Sequence, residues 1–249
     1  MELAGKRALV TGGSRGLGLA LVEALHARGA RVTVLARDAE RLSTLRHRLG
    51  VDVIAGDVTD EALARSALRD VRPSLLILNA GTTPPMGPLH ELSWEDFSTS
   101  WNSDTKAALY WIQQAIRLPL APGTRVLLGG SGAAVSGSPL SGGHAGAKRM
   151  IWLLAHYANA LSDKLGLGLR FQVVVPLQII GETDHGRSVA GAYARSKGVS
   201  LEAMLSNFGK PLPPAQFAQH VITLLTDPAY DHITAVGLKG DSGMTTLDG

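Results

Sequence analysis

Cysteine is absent from the 249 residues, which excludes disulfides and thiolate metal ligands and agrees with a reducing compartment. No apolar run reaches the roughly 18 uninterrupted residues of a membrane-spanning helix, and no charged segment near the start leads into a long apolar stretch of the secretory kind. A cytoplasmic location with no membrane partner is the expectation. Charge of one sign is scarce as well: 24 Lys and Arg stand against 21 Asp and Glu, a formal net charge of +3. The two signs are interspersed, so no polyanion-binding stripe and no nucleic-acid partner is expected. No His, Asp or Glu cluster has metal-ligand spacing, and no metal is expected. No Pro-, Ser- or charge-rich linker divides the chain. With 45% hydrophobic and 18% charged residues, residues 1–249 are expected to form a single domain around one core.

What is present is an alternation of strand-length apolar runs with segments of helical period, the pattern of β-α-β units around a parallel sheet. Arg7 to Thr11 reads as a buried strand, Gly12 to Gly18 as a tight turn, and Leu17 to Arg28 as a helix closed by Gly29. A strand from Arg31 to Ala36 and a charged helix from Ala39 to Leu49, ending at Gly50, follow. Further strands are expected at Val51 to Ala55, Leu75 to Leu78, Arg125 to Leu128, Leu169 to Val175 and Thr234 to Leu238. Long helices are expected from Trp94 to Leu118, stopped by Pro119, and from Gly146 to Leu165, and a shorter one from Ala215 to Leu225. Residues 181–214, rich in Gly, Ser and small side chains, read as an irregular segment suited to covering a substrate. The sum is an α/β architecture of about seven strands with helices on both faces.

The glycine turn carries the first chemistry. A phosphate needs backbone N–H donors and close approach, and a helix start preceded by glycines supplies both. Thr11, Gly12, Ser14, Arg15, Gly16, Leu17 and Gly18 stand where that demand is met, after a strand and at the mouth of a helix. Their spacing resembles the TGxxxGxG motif of the short-chain dehydrogenases/reductases. Asp57-Val58 after the third strand is similar to that family's adenine-contacting pair. Asn79-Ala80-Gly81 is similar to the NAG that ends its fourth strand, and Lys239 to Gly243 to its closing turn. The resemblance runs almost end to end and implies a Rossmann-like, doubly wound parallel sheet in the order 3-2-1-4-5-6-7 that binds a nicotinamide dinucleotide.

A carboxylate at the end of the second strand would bond the ribose hydroxyls of NAD, whereas a 2′-phosphate calls for guanidinium forks. The chain offers Ala36 and then Arg37, with Arg15 as a second cation, so NADP(H) is expected over NAD(H). Asp38 keeps the second option open, and both arginines have an alternative reading as solvated surface charge.

In the family a Ser, a Tyr-x-x-x-Lys pair and an Asn form the catalytic set. Ser131 and Lys148 match at the right spacing, but His144 stands at the tyrosine position and Asp104 at that of the asparagine, with Asn102 two residues away. Pro176-Leu177 replaces the usual Pro-Gly, with Ile179 following on the nicotinamide side and Thr183 late. The resemblance implies an NADP(H)-dependent oxidoreductase acting on a carbonyl or hydroxyl of a small molecule. In it His144 would serve as general acid/base, Ser131 would hold the substrate oxygen and Lys148 the cofactor ribose. Two alternatives stay open. An iminium substrate could use Asp104 as counter-ion. The loss of the phenol also fits an NADP(H)-binding sensor, scaffold, or non-redox isomerase or cyclase. Asp104 has the plainer reading of neutralising Lys106 or Lys148. His156, Tyr157 and His220 read as packing or surface residues. Leu177, Ile179 and Ile180 point to an apolar substrate of moderate size. The apolar surplus on the two long helices (Leu109, Trp111, Ile112, Ile116, Trp152, Leu153, Leu154) points to a homodimer or homotetramer.

Overall fold

The computed structural model describes residues 2–118 and 120–247, so the expected helix stop at Pro119 lies outside the described residues. Eight strands form one sheet in the order β3-β2-β1-β4-β5-β6-β7-β8. They are β1 (Arg7–Thr11), β2 (Arg31–Ala36), β3 (Asp52–Ala55), β4 (Leu75–Leu78), β5 (Arg125–Gly129), β6 (Arg170–Pro176), β7 (Ala235–Lys239) and β8 (Gly243–Thr246). The first seven are parallel, in the expected order. The eighth, which sequence patterning did not reveal, runs antiparallel to β7 with Val236 opposite Thr246. It is four residues long and half exposed, too short and too polar to leave an apolar signature.

The inner strands are buried on both faces, as a parallel sheet between helices must be. In β1, Ala8 and Val10 enter one core with helices α1 (Gly16–His26) and α2 (Ala39–Leu49), while Leu9 enters the other. In β4, Leu75 and Ile77 face the first core, Leu76 and Leu78 the second. That second core is completed by α3 (Glu61–Val71), which the sequence reading had not placed, and by Trp111, Ile112, Ile151, Trp152 and Phe171. Much of the apolar surplus on the long helices is therefore used inside: Trp111 is 1% exposed and Trp152 6%.

The helix expected from Trp94 to Leu118 is one run with a defect: α4 (Trp94–Ser100), a π-helical turn (Trp101–Thr105) and α5 (Lys106–Arg117). Leu118 leaves it extended, at φ −88° and ψ 128°, the region favoured before a proline. A π turn inserts one extra residue and re-aims the side chains around it; here it turns Asp104 inward, 3% exposed. After β5 comes the short α6 (Ala133–Ser136) and then α7 (His144–Lys164), which starts two residues earlier than expected, at His144 itself.

Residues 181–214 are more regular than their composition suggests. They hold α8 (Asp184–Lys197) and α9 (Leu201–Ser206), ahead of α10 (Pro214–Thr226). Thr183 caps α8 by accepting the Gly186 N–H at 3.0 Å, and Gly198 closes it at φ 64°. The small residues serve close packing: Ala190, Ala192 and Ala194 are buried, and a Cβ on Gly186 would lie 1.9 Å from the Ile180 carbonyl oxygen.

Candidate active site

Sheet order reverses direction between β1 and β4, and the carboxyl ends of the strands on either side frame a cleft of about 1370 Å³. That exceeds the roughly 300–1,000 Å³ of pockets for drug-sized ligands and is in keeping with a dinucleotide plus a substrate.

Its first wall is the glycine turn. Thr11 Oγ1 accepts the Ala80 N–H at 3.2 Å and Asn79 Nδ2 donates to the Gly12 carbonyl at 3.5 Å, so the ends of β1 and β4 are clasped together. Gly12 adopts φ 67°, and a Cβ there would sit 2.7 Å from the Ala80 Cα. Helix α1 opens with Arg15 as N-cap and no side-chain cap bond, which leaves its first amides as donors for an anion. Ser14, Arg15, Gly16 and Leu17 face the cleft, as do Ala80 and Gly81. Gly18 does not. It lies beneath the turn, where a Cβ would stand 2.2 Å from the Gly12 carbonyl oxygen, so its role is to let α1 close on β1.

Arg37, Asp57 and Val58 line the cleft beside the glycine turn, where the resemblance places an adenosine. Thr59 donates to the Asp57 carboxylate from both its N–H and its hydroxyl at 2.8 Å, which holds that carboxyl below its ordinary pKa. Asp38, the residue that kept NAD(H) open, is occupied elsewhere. It caps α2 by accepting the Arg41 N–H at 3.0 Å and pairs with Arg41 Nε at 3.1 Å. Arg41 lies on the cleft wall one turn beyond Arg37, a cation that the sequence reading missed although its spacing was visible.

At the opposite end Lys148 Nζ donates to the Gly129 carbonyl at 3.1 Å and lies 3.0 Å from Asp104 Oδ2. The other carboxylate oxygen of Asp104 accepts the Thr82 N–H and the Ser103 hydroxyl, both at 2.8 Å. Lys106, the other partner considered for Asp104, lies over the Tyr110 ring instead. Asn102 donates to Ser98 Oγ at 3.1 Å, so Asp104, not Asn102, meets the lysine. The Asp104 carboxylate is thus engaged by the ammonium at one oxygen and by Thr82 and Ser103 at the other.

His144 is 5% exposed, and its Nδ1 lies 2.9 Å from the buried Ser100 hydroxyl. Burial first, and the Lys148 ammonium second, hold its pKa down to about 3; the Asp104 carboxylate pulls the other way, and His185 adds to the depression. His185, from the first turn of α8, stands across the cleft with its ring centroid 6.1 Å from that of His144 and its Nδ1 3.2 Å from Thr83 Oγ1. Desolvation, then Lys148, lowers its pKa as well. Ser131 lies on the same wall, its hydroxyl accepting the Ala133 N–H at 3.2 Å. Pro176 and Ile179 line the cleft beside it, and Thr183 packs near Gly16. Among the described residues no group of His, Asp and Glu could hold a metal ion, and no helix is long and apolar enough to cross a membrane.

The family model for short chain dehydrogenases matches residues 6–189, from β1 into α8. The chain belongs to the short-chain dehydrogenase family. Within that family it is 35% identical to L-xylulose reductase of Bos taurus over 124 residues, 49% of this chain and 51% of the relative. This match spans about half the length of that relative. It is 32% identical to hydroxynaphthalene reductase arp2 of Aspergillus fumigatus over 216 residues, 81% of this chain and 77% of that protein. Among solved structures, the Pseudomonas aeruginosa RhlG/NADP active-site complex superposes with a TM-score of 0.78 at 26% identity, covering 96% of this chain and 97% of that one.

Ser100, His185 and Tyr193, whose hydroxyl lies 2.7 Å from Ser138 Oγ, were invisible to short-range motif reading in this short-chain dehydrogenase. His185 and Tyr193 line the cleft and the buried Ser100 backs His144, each from a segment with no local signature, 44 residues from its partner for Ser100 and 55 for Tyr193.

Proposed function

We propose that this short-chain dehydrogenase is an NADP(H)-dependent oxidoreductase that interconverts a small carbonyl compound and its alcohol at an atypical Ser131, His144, Lys148 and Asp104 site. The observation that carries this reading is continuity. One cleft holds the glycine turn, three arginines and the Ser131, His144 and Lys148 side chains, so a ligand spanning it meets phosphate donors at one end and proton-handling groups at the other. The residues fit the cofactor: the uncapped α1 amides and the Ser14 to Leu17 turn face its pyrophosphate. Arg15, Arg37 and Arg41 meet the 2′-phosphate, with the neighbouring Asp38 carboxylate already engaged. Bound there, the cofactor would take up or supply the two electrons of the reaction.

The protein's own part is proton transfer and orientation. Held neutral at rest, His144 is poised as a base toward a substrate hydroxyl; in the reverse direction its imidazolium is the acid. The Ser100 hydroxyl can donate to Nδ1 or accept from it, so it anchors the ring in either protonation state while Nε2 handles the substrate proton. Ser131 steadies the substrate oxygen. Helices α8 and α9 cover the substrate end, where Val189, Tyr193, Met204 and Phe208 face the cleft and favour a substrate of mixed apolar character.

A second reading is an NADP(H)-binding protein without redox turnover. It is favoured by the commitment of Lys148 to Asp104 and Gly129. Calorimetric titration with NADPH and NADH, followed by a spectrophotometric screen of ketones, aldehydes and alcohols, separates the two. Turnover abolished by His144→Ala supports the first, and tight NADPH binding without turnover selects the second. We also read Leu109, Tyr157, Leu161 and Leu165, all more than a third exposed on α5 and on or just beyond α7, as a face for a second copy of the chain.

A further inference from the structure

Asp104 is 3% exposed, a carboxylate on a π turn, and its ionised form needs compensation that burial alone denies it. It has that compensation in Lys148 at 3.0 Å and in the Thr82 amide at 2.8 Å. Room for the pair comes from Gly81: a Cβ there would lie 3.1 Å from Asp104 Oδ2 and 3.6 Å from Lys148 Nζ. His144 sits one helical turn before Lys148 on α7, and the charges around it are few. They are Lys148 on the same helix, Asp104 from the π turn, and the titratable His185 from α8.

We propose that Asp104 is the positioning residue that makes an imidazole usable as the proton carrier of this site, its buried carboxylate offsetting part of the Lys148 ammonium's repulsion of a proton on His144. This rests on the reading of His144 as the group that exchanges a proton with substrate. In alcohol oxidation the substrate O–H bond breaks and its proton passes to His144. The hydrogen on the carbinol carbon would leave with its two electrons to an oxidised nicotinamide dinucleotide held in the cleft, and Asp104 exchanges no proton in the step.

The charge arithmetic explains why residues 104 and 144 belong together. With the carboxylate, the His144, Lys148 and Asp104 group goes from neutral to a single positive charge as the proton arrives. Without it, the same step piles a second positive charge on the first. A phenol in place of the imidazole reverses the preference. It must lose a proton to act as a base, and an uncompensated ammonium favours that loss while a carboxylate opposes it. An imidazole at 144 therefore suits Asp at 104, and a phenol would suit a neutral amide.

The test compares wild type, Asp104→Asn, His144→Tyr and the double variant Asp104→Asn/His144→Tyr. The readout is the ultraviolet titration of the introduced phenol, with the wild-type spectrum subtracted to remove the four native tyrosines. The phenol midpoint is expected to fall by at least about one pH unit in the double variant relative to His144→Tyr alone. Should the double variant fail to fold, Lys148→Met in the His144→Tyr background leaves the carboxylate unopposed and raises the midpoint by a similar amount. Unchanged midpoints overturn the proposal. Where wild type turns over, the two substitutions should be non-additive, the double variant recovering at least ten-fold over His144→Tyr; strict additivity counts against it. Because the phenol titration needs no substrate, a wild type without turnover whose variants show split midpoints removes the proposed activity and keeps the charge pairing. Turnover with coincident midpoints does the opposite.

Discussion

Ser100 and His144, 44 residues apart in the chain, share a buried hydrogen bond of 2.9 Å between Oγ and Nδ1. One ends α4 and the other begins α7, so the packing of these two helices orients a ring that lines the cleft. Replacing Ser100 by Ala leaves the imidazole in place but unanchored. Its kcat is expected to drop about ten-fold with little change in KM, against about 10²–10⁴-fold for His144→Ala, the usual range for removal of a general acid/base. Steady-state kinetics on one carbonyl substrate check the ranking, and equal losses would show that Ser100 does more than orient.

The depressed pKa of His144 has a stability consequence of definite sign. The unfolded imidazole takes up a proton near pH 6.5, whereas the folded one resists it until about pH 3. Its contribution is therefore fully present above pH 6.5 and is lost as pH falls from there toward 3, by up to about 5 kcal/mol at the acid end. Urea unfolding at pH 7, 5.5 and 4.5 is expected to show His144→Gln losing less stability than wild type over that interval. Parallel losses would mean the ring is not held neutral.

The same property shapes the pH profile. With His144 as base, alcohol oxidation should show no loss from this group between pH 8 and about 4.5, because the ring remains unprotonated throughout. Carbonyl reduction, which draws on the small imidazolium fraction, should accelerate as pH falls. Initial rates in the two directions across that range decide the matter.

Arg37 and Arg41 are expected to select the phosphorylated cofactor. Each substitution by Ala should weaken NADPH affinity about ten- to hundred-fold while leaving NADH within about two-fold, since a guanidinium paired with a phosphate contributes about 1.5–3 kcal/mol. Asp38→Ala, by contrast, removes a helix cap and should cost stability of about 1 kcal/mol without improving NADH binding. Calorimetry with both dinucleotides measures the first effect and thermal unfolding the second.

Gly18→Ala places a methyl group against the Gly12 carbonyl. The turn must open to admit it, so both stability and dinucleotide affinity should fall together, the latter at least ten-fold. Retention of wild-type affinity would show that the turn tolerates the shift.

Tyr157 and Leu161 lie one turn apart on the exposed side of α7. If that face joins two copies, Tyr157→Asp/Leu161→Asp should sediment as a monomer at micromolar concentration where wild type does not. A wild type already monomeric would set this reading aside.

Local sequence was sufficient wherever one segment satisfies its own backbone and buries its own stripe. Helix α2 is bounded as expected because Asp38 caps its start and Gly50, at φ 70°, ends it. Strands β1, β2 and β4 stand at the expected residues because their apolar runs have no solvent-exposed alternative. The segment before β4 hid α3, whose stripe is largely alanine, and residues 181–214 hid α8, whose small side chains pack more closely than their composition implies.

The pattern of apolar runs and the glycine spacing determined by themselves that this is a doubly wound parallel sheet whose first strand runs through a glycine turn into a helix, since periodicity and backbone freedom are properties of contiguous residues. Only the tertiary structure decided that Asp104 pairs with Lys148, that Thr11 clasps Ala80, and that the Ser100 hydroxyl meets His144. Those outcomes depend on which chain segments the sheet brings within about 3 Å of one another in a medium where charge must find a partner.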